Sequence, residues 1–337
     1  MDKQVAFGGL KKLQFSDISA AAGRIQPYIL RTPLVESLTM NALFPTHRLF
    51  FKMECLQKVQ AFKARGAMNT LLHLKEQDAL PEKVVACSSG NHAQGVAWAA
   101  KQLGLSATLF IAQNASRLKI EATRQWGATV VIAESREVAD LQAKRFAETE
   151  GAYLISPFDH DDVISGQGTA TMEAYQQEQG FTAVFAPCGG GGLLSGTVIA
   201  SRHFDPGVKV FGAEPEIAND AATSLRLGHI VPLGHPATTI ADGVRTPMIS
   251  ERTFQYLKEA TGIIEVSEQA IKDWTLRLNE GLRTHLPADN SVFIETTCGL
   301  TMAAVAEWLV LQTTPQKVLV IISGGNTDLE TQLQLMP

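Results

Sequence analysis

Lys63 follows an aromatic residue, Phe62, and opens the run K-A-R-G-A-M-N-T-L, where its amine could act as a nucleophile or a base. A lysine met alone is most often a solvated charge, so two other stretches decide how it is read. C-G-G-G-G-L-L-S-G at 188–196 follows a strand-like run and leads into a helical one. Gly189, Gly190, Gly191 and Gly192 put no side chain between backbone N–H groups and an anion, and a helix starting near Leu193 adds the positive end of its dipole. V-L-V-I-I-S-G-G-N at 318–326 places Ser323 where a strand ends, beside two glycines that let another group come close. An amine able to form a Schiff base, a phosphate cradle without a nucleotide-type lysine, and a strand-end hydroxyl together point to pyridoxal phosphate.

Other readings of these stretches are testable on the letters. No G-x-x-x-x-G-K-[ST] occurs, and no frame of G-G-G-G-L-L-S-G satisfies G-x-G-x-x-G. Glu214 does end the next strand-like run as the acidic residue of a dinucleotide binder would, which keeps an NAD-binding oxidoreductase as the alternative from another class. S-S-G-N-H at 88–92 lies between a strand-like and a helical run. Its hydroxyls and free N–H groups could hold a carboxylate, although a plain helix cap would need only one serine. Ser323 also carries mechanistic meaning. A carboxylate beside a pyridine nitrogen keeps it protonated, whereas a hydroxyl leaves it largely neutral, a weaker electron sink that suits elimination.

The elements that must position these groups follow an alternating pattern. Strand-like runs at 84–87, 107–111, 129–133 and 152–155 alternate with helical spacing at 94–103, 115–126 and 136–150. Further strands are expected at 48–53, 183–186, 209–213, 291–294 and 317–322, and helices at 15–24 with Ser16 as N-cap, 168–179, 193–203, 251–260, 268–281 and after 299. This period predicts an α/β chain of parallel strands with helices on both faces. The irregular, proline- and glycine-containing stretch at 222–245 reads as a functional loop.

The motifs, in order, resemble those of fold type II pyridoxal-phosphate enzymes of the threonine dehydratase and serine racemase family. The similarity runs from T-P-L at 32–34 to S-G-G-N at 323–326 and includes S-S-G-N-H, S-G-Q-G-T at 165–169 and A-D-G-V at 241–244. It departs from the family's usual Thr-Gly-Ser before the Phe-Lys pair, where this chain has Val59, Gln60 and Ala61. The resemblance implies a tryptophan synthase beta-like fold of two lobes, each with a mostly parallel sheet flanked by helices. A large domain of 1–82 plus 158–337 would bind the cofactor, a small inserted domain would occupy 83–157, and no C-terminal regulatory domain is expected.

By the same resemblance, Lys63 carries the cofactor and takes the alpha proton, and Ser89 is the acid on the opposite face. Phe62 packs on the ring, Asn91 bonds the ring hydroxyl, and Ser88, Ser89, Gly90, Asn91 and His92 hold the substrate carboxylate. Taken alone, His92 reads as structural. E-S-R-E at 134–137 and D-G-V-R at 242–245 resemble the racemase branch, and S-P-F-D-H at 156–160 the dehydratases. Arg136 would meet a second substrate carboxylate, favouring 3-hydroxyaspartate. Glu214, the backbone oxygen of Ala218, and Asp220 resemble a site for magnesium, manganese or calcium, whose hard-oxygen donors such ions prefer. The expected activity is an ammonia-lyase converting L-threonine or L-serine to the 2-oxo acid and ammonium, with serine racemase or 3-hydroxyaspartate dehydratase as alternatives, in a homodimer or homotetramer.

Bulk properties agree with a small-molecule enzyme. The 337 residues are 45% hydrophobic and 19% charged, with 29 basic and 34 acidic residues giving a net charge of −5, and no long basic block invites nucleic acid or membrane. The four cysteines, Cys55, Cys87, Cys188 and Cys298, form no C-x-x-C pair, as in a reducing compartment. No signal-peptide core or apolar run of membrane-spanning length occurs, so a cytoplasmic location is expected.

Overall fold

The computed structural model describes residues 12–88, 90–113, 115, 117–289, 291–327, 330, 331 and 335. Its larger sheet is formed by β1 (Leu34–Glu36), β2 (Arg48–Met53), β7 (Ala183–Pro187), β8 (Lys209–Pro215), β9 (Gly262–Val266) and β10 (Lys317–Ile322), and its smaller one by β3 (Lys83–Cys87), β4 (Ser106–Ala112), β5 (Thr129–Ala133) and β6 (Tyr153–Leu154). The larger runs β1-β2-β10-β7-β8-β9 and the smaller β5-β4-β3-β6. Every pairing is parallel except that of the edge strand β1 with β2. β7 and most of β2, β8 and β10 are buried, which is why they read as near-continuous apolar runs rather than alternations.

Helices α1 (Phe15–Ile25), α2 (Leu38–Ala42), α3 (Lys63–Glu76), α7 (Asp161–Gln177), α8 (Gly192–Phe204), α9 (Asp220–Leu227), α10 (Glu251–Leu257), α11 (Glu268–Gly281) and α12 (Thr296–Val310) accompany the larger sheet. α4 (Asn91–Gln102), α5 (Arg117–Gln125) and α6 (Arg136–Glu150) accompany the smaller. Glycines set how closely three of them pack. A Cβ on Gly196 would lie 2.6 Å from Gly168 Cα, and one on Gly166 would lie 2.7 Å from the Arg65 carbonyl oxygen. The glycines of S-G-Q-G-T therefore let α7 sit directly against both α8, which starts at the glycine loop, and α3, which starts at Lys63.

A buried ionic cluster fixes α3 from the other side. Arg65 donates from Nε to Glu54 at 2.7 Å and from Nη1 to Glu173 at 2.8 Å, while Lys52 Nζ reaches Glu173 at 2.7 Å. Thr32 of T-P-L donates to Glu54 at 2.5 Å. Two cations and two carboxylates thus balance in a site closed to water, the arrangement that makes charge burial tolerable.

Several expected elements shift. α1 is capped by Gln14 and not by Ser16, because the Gln14 N–H is held by Asp17 in a reciprocal box. α7 begins about two turns before the expected 168, with His160 as its cap, and Gly166 and Gly168 are packing sites within it. Residues 291–294 join no strand among the described residues, and Asn279 instead takes the backbone of Ile294 at both N–H and C=O. The short strand β1 and the elements β9, α2 and α9 were not anticipated.

Candidate active site

The turn before Lys63 is strained. Val59 and Gln60 have φ of 54° and 52°, the left-handed region that a β-branched residue seldom enters. The loop after β10 clamps it: Asn326 Nδ2 donates to the Val59 carbonyl at 2.6 Å, Gly325 N to Gln60 O at 2.8 Å, and Phe62 N to Ser323 O at 3.1 Å. The backbone that presents Lys63 is therefore tied to the backbone that presents Ser323.

The half-buried Lys63 side chain passes 5.0 Å from the Phe62 ring, and its Nζ donates to the Pro157 carbonyl at 2.6 Å. No carboxylate is paired with it among the described residues. Burial, reinforced by the Arg136 charge, pulls its pKa down to about 7, so a large fraction of the amine is unprotonated at neutral pH. Gln167 Nε2 donates to the same Pro157 oxygen at 3.1 Å.

Across the cavity, the glycine loop turns through Gly191 at φ 86° into the first turn of α8. Side chains could not be accommodated there. A Cβ on Gly190 would meet the Phe158 ring at 2.2 Å, and one on Gly192 would meet Gln167 Oε1 at 2.7 Å. Ser323 is buried with Cys298 Sγ 3.6 Å from its hydroxyl. Burial pushes that thiol up to about 12, so the group beside Ser323 is neutral.

A cavity of about 120 Å³ brings the expected residues together: Phe62, Lys63, Ser88, Gly90, Asn91, His92, Arg136, the four loop glycines, Leu193 and Ser323 all line it. Ser89 lies outside the described residues. His92 Nε2 is 2.9 Å from the Ile155 carbonyl and burial pulls its pKa down to about 3, so it is a neutral ring held by backbone. Asn91 donates from Nδ2 to Glu295 at 2.9 Å and accepts at Oδ1 from Asn326 at 2.9 Å. A wider cleft of about 800 Å³ adjoins, sharing Lys119, Arg136, Asp242, Arg245 and Glu295 with the inner cavity. Arg136 donates to the Arg245 carbonyl, Arg245 Nε donates to the Thr239 carbonyl at 2.8 Å, and both arginines line this mouth.

Glu295, Lys119, Gln167 and Pro157 had no assigned role in the sequence. Pro157 acts through a backbone oxygen, which no letter signals. Lys119 and Glu295 are 176 positions apart in sequence and meet only through the fold. Gln167 stood inside S-G-Q-G-T, where the motif marked its importance without its contact.

Away from this cavity, Glu214 is buried and accepts from the N–H groups of Ala221 and Ala222 at 3.1 and 2.7 Å, and Asp220 accepts from Ile249 N at 2.9 Å. Burial, then the Asp220 charge, raises the Glu214 pKa well above the carboxylate range, and burial raises that of Asp220 to about 7. No lysine or arginine pairs with either among the described residues. Among the described residues no group of three or more acidic, histidine or cysteine side chains is arranged to hold a metal ion.

A family model described as "Pyridoxal-phosphate dependent enzyme" matches residues 25–324. The chain is 37% identical over 318 residues to a serine racemase of Schizosaccharomyces pombe, covering 94% of this chain and 95% of that one. It is 38% identical over 328 residues to an L-threo-3-hydroxyaspartate ammonia-lyase of Saccharomyces cerevisiae, covering 96% of each. Among solved structures, a serine racemase of maize superposes with a TM-score of 0.88 at 34% identity, covering 96% of this chain and 97% of that one. A solved threonine deaminase superposes with a TM-score of 0.85 at 40% identity, covering 94% of this chain and 99% of that one.

Proposed function

Because the chain belongs to the pyridoxal-phosphate dependent enzyme family, we propose that it is an ammonia-lyase that removes water from a small L-3-hydroxy amino acid, yielding a 2-oxo acid and ammonium. One observation carries the reading: a half-buried amine with no carboxylate partner among the described residues faces a glycine loop and a hydroxyl, not a carboxylate, across one small cavity. Family membership leaves the dinucleotide-binding alternative without support.

The residues present fit the cofactor. Gly189 to Gly192 form a cradle in which a Cβ on Gly190 or Gly192 would run into the Phe158 ring or Gln167 Oε1, leaving backbone N–H groups and the α8 terminus for a phosphate. Ser323 would meet the pyridine nitrogen, Asn91 the ring hydroxyl and Phe62 the ring face. When bound, pyridoxal phosphate supplies an electrophile for the substrate amine and a ring that draws electrons from the alpha carbon.

In this reading Lys63 takes the alpha proton, helped by a pKa near working pH. Ser88, Ser89, Gly90, Asn91 and His92 surround the alpha carboxylate. The Cα–H and Cβ–O bonds break, the hydroxyl leaves as water after taking a proton from a nearby hydroxyl, and the released enamine hydrolyses. L-serine and L-threonine are substrates on this account. Arg136 and Arg245 at the mouth support L-threo-3-hydroxyaspartate as well, since a second carboxylate there gains a cationic partner. A relative named serine racemase supports a second reading, in which Ser89 returns a proton to the opposite face. Glu214, the Ala218 oxygen and Asp220 would hold a divalent cation that orders their loop, a reading supported by two buried carboxylates that no lysine or arginine among the described residues pairs with. The two-lobed domain division, a homodimer or homotetramer, and a cytoplasmic location belong to the same proposal; among the described residues no helix is long and apolar enough to cross a membrane.

Borohydride treatment of the yellow, cofactor-loaded protein tests this directly. The cofactor should become covalently attached at Lys63, and Lys63→Ala should abolish turnover. Attachment at another lysine, or undiminished turnover by Lys63→Ala, contradicts it.

A further inference from the structure

Lys119 lies on α5, beside the smaller sheet, yet its buried side chain ends among groups of the larger-sheet region. Its Nζ is 2.5 Å from Asp242 Oδ2 and 3.3 Å from Glu295 Oε1. On the way it passes under the S-S-G-N-H loop, where a Cβ on Gly90 would lie 3.7 Å from Lys119 Cδ and 3.9 Å from Nζ. Glu295, the N-cap residue of α12, is buried, and Lys119 is the cation paired with it among the described residues. Its other oxygen receives the Asn91 amide at 2.9 Å, and Oε1 also accepts from Asn326 N at 3.2 Å. Asn91 is fixed at both ends, because its Oδ1 is taken by Asn326. The second Nδ2 hydrogen of Asn91 remains for the cavity that Asn91 lines.

We propose that Lys119 is a positioning residue: its ammonium, shared by Asp242 and Glu295, pins α5 against the larger-sheet region and keeps Glu295 as the anion that aims the Asn91 amide into the active site. A buried carboxylate left without its cation must either take a proton or move toward water. Either change releases the Asn91 amide and loosens α5, although Lys119 never touches the reacting bonds. The kinetic part of this inference rests on the ammonia-lyase or racemase reading; the pinning of α5 does not.

The test uses the cofactor-loaded full chain with Lys119→Met, Lys119→Arg, Glu295→Gln and the Lys119→Met/Glu295→Gln double variant. Lys119→Met should lower kcat/KM at least tenfold through kcat, change the absorption of the bound cofactor, and speed amide hydrogen exchange at 117–125. Lys119→Arg, which keeps the charge, should restore part of the rate. The double variant should lose at least tenfold less than the product of the two single losses, because a neutral glutamine no longer requires the ammonium. Circular dichroism and thermal unfolding identify any variant that does not fold, and Lys119→Gln then replaces Lys119→Met. Losses that multiply independently, unchanged exchange at 117–125, or a loss confined to KM would overturn the proposal, the last by making Lys119 a direct substrate contact. If the unaltered protein turns over none of L-serine, L-threonine and L-threo-3-hydroxyaspartate, the functional reading fails, whereas exchange at 117–125 still decides the role of Lys119.

Discussion

Lys63 Nζ and the Pro157 carbonyl oxygen lie 2.6 Å apart, so the amine at the centre of the site is held by a neutral backbone group. An aspartate or glutamate there would have kept it charged. With a carbonyl and a buried setting it instead falls to about 7.

That shift has a consequence for stability in the cofactor-free protein. An unfolded lysine keeps its proton to about 10.4, so between about 7 and that value the unfolded chain holds more protons than the folded one. Burying the charged amine therefore costs most below pH 7, and the cost fades as pH rises through that window. Lys63→Met should stabilise cofactor-free protein more at pH 6.5 than at pH 9, read from urea midpoints. An equal gain at both pH values would show that the amine is not held at a lowered pKa.

Asp220 gives the opposite slope. Its folded pKa of about 7 lies above its ordinary value of 3.8, so stability present at low pH is lost as pH rises from about 4 to about 7, unless a cation compensates. Chelated protein should melt lower at pH 7.5 than at pH 5.5. Added magnesium or manganese should remove most of that difference, and Asp220→Ala should make melting insensitive to the metal. A melting temperature indifferent to chelator and metal at pH 7.5 would leave Glu214 and Asp220 as an uncompensated buried pair.

The turn before Lys63 carries strain that one substitution can release. A left-handed conformation costs an ordinary residue roughly 1–2 kcal/mol, part of which glycine recovers. Gln60→Gly should therefore raise stability by about 1 kcal/mol in urea unfolding, because its φ of 52° is retained without a Cβ. Lower stability would mean that the Gln60 side chain contributes more than its backbone costs.

Much of this site was legible because its chemistry lies in contiguous letters. The glycine loop, Ser323 at the end of β10 and Lys63 at the start of α3 are each marked by a local pattern of apolar run, small residue and helix start. Parallel strands such as β7 and β10 are buried on both faces and so announce themselves as apolar runs. What escaped was set by long-range packing. Gly166 and Gly168 lie inside α7, which starts before the expected 168, and are its points of contact with α3 and α8. Residues 291–294 had the composition of a strand, yet Asn279 satisfies the Ile294 backbone and no neighbouring strand is needed. The Lys119 and Glu295 pair sits beside the very asparagine singled out from the sequence, but neither residue belongs to the motif that contains it.

The central claim is elimination from an L-3-hydroxy amino acid, and the direct measurement is of both products from one reaction. Cofactor-loaded protein given L-serine, L-threonine or L-threo-3-hydroxyaspartate should release 2-oxo acid and ammonium in equal amounts. From at least one of the three, that rate should exceed D-amino acid formation at least tenfold, a difference of about 1.4 kcal/mol between the competing barriers. D-amino acid formed from these substrates with little or no 2-oxo acid would contradict the account and make the protein a racemase.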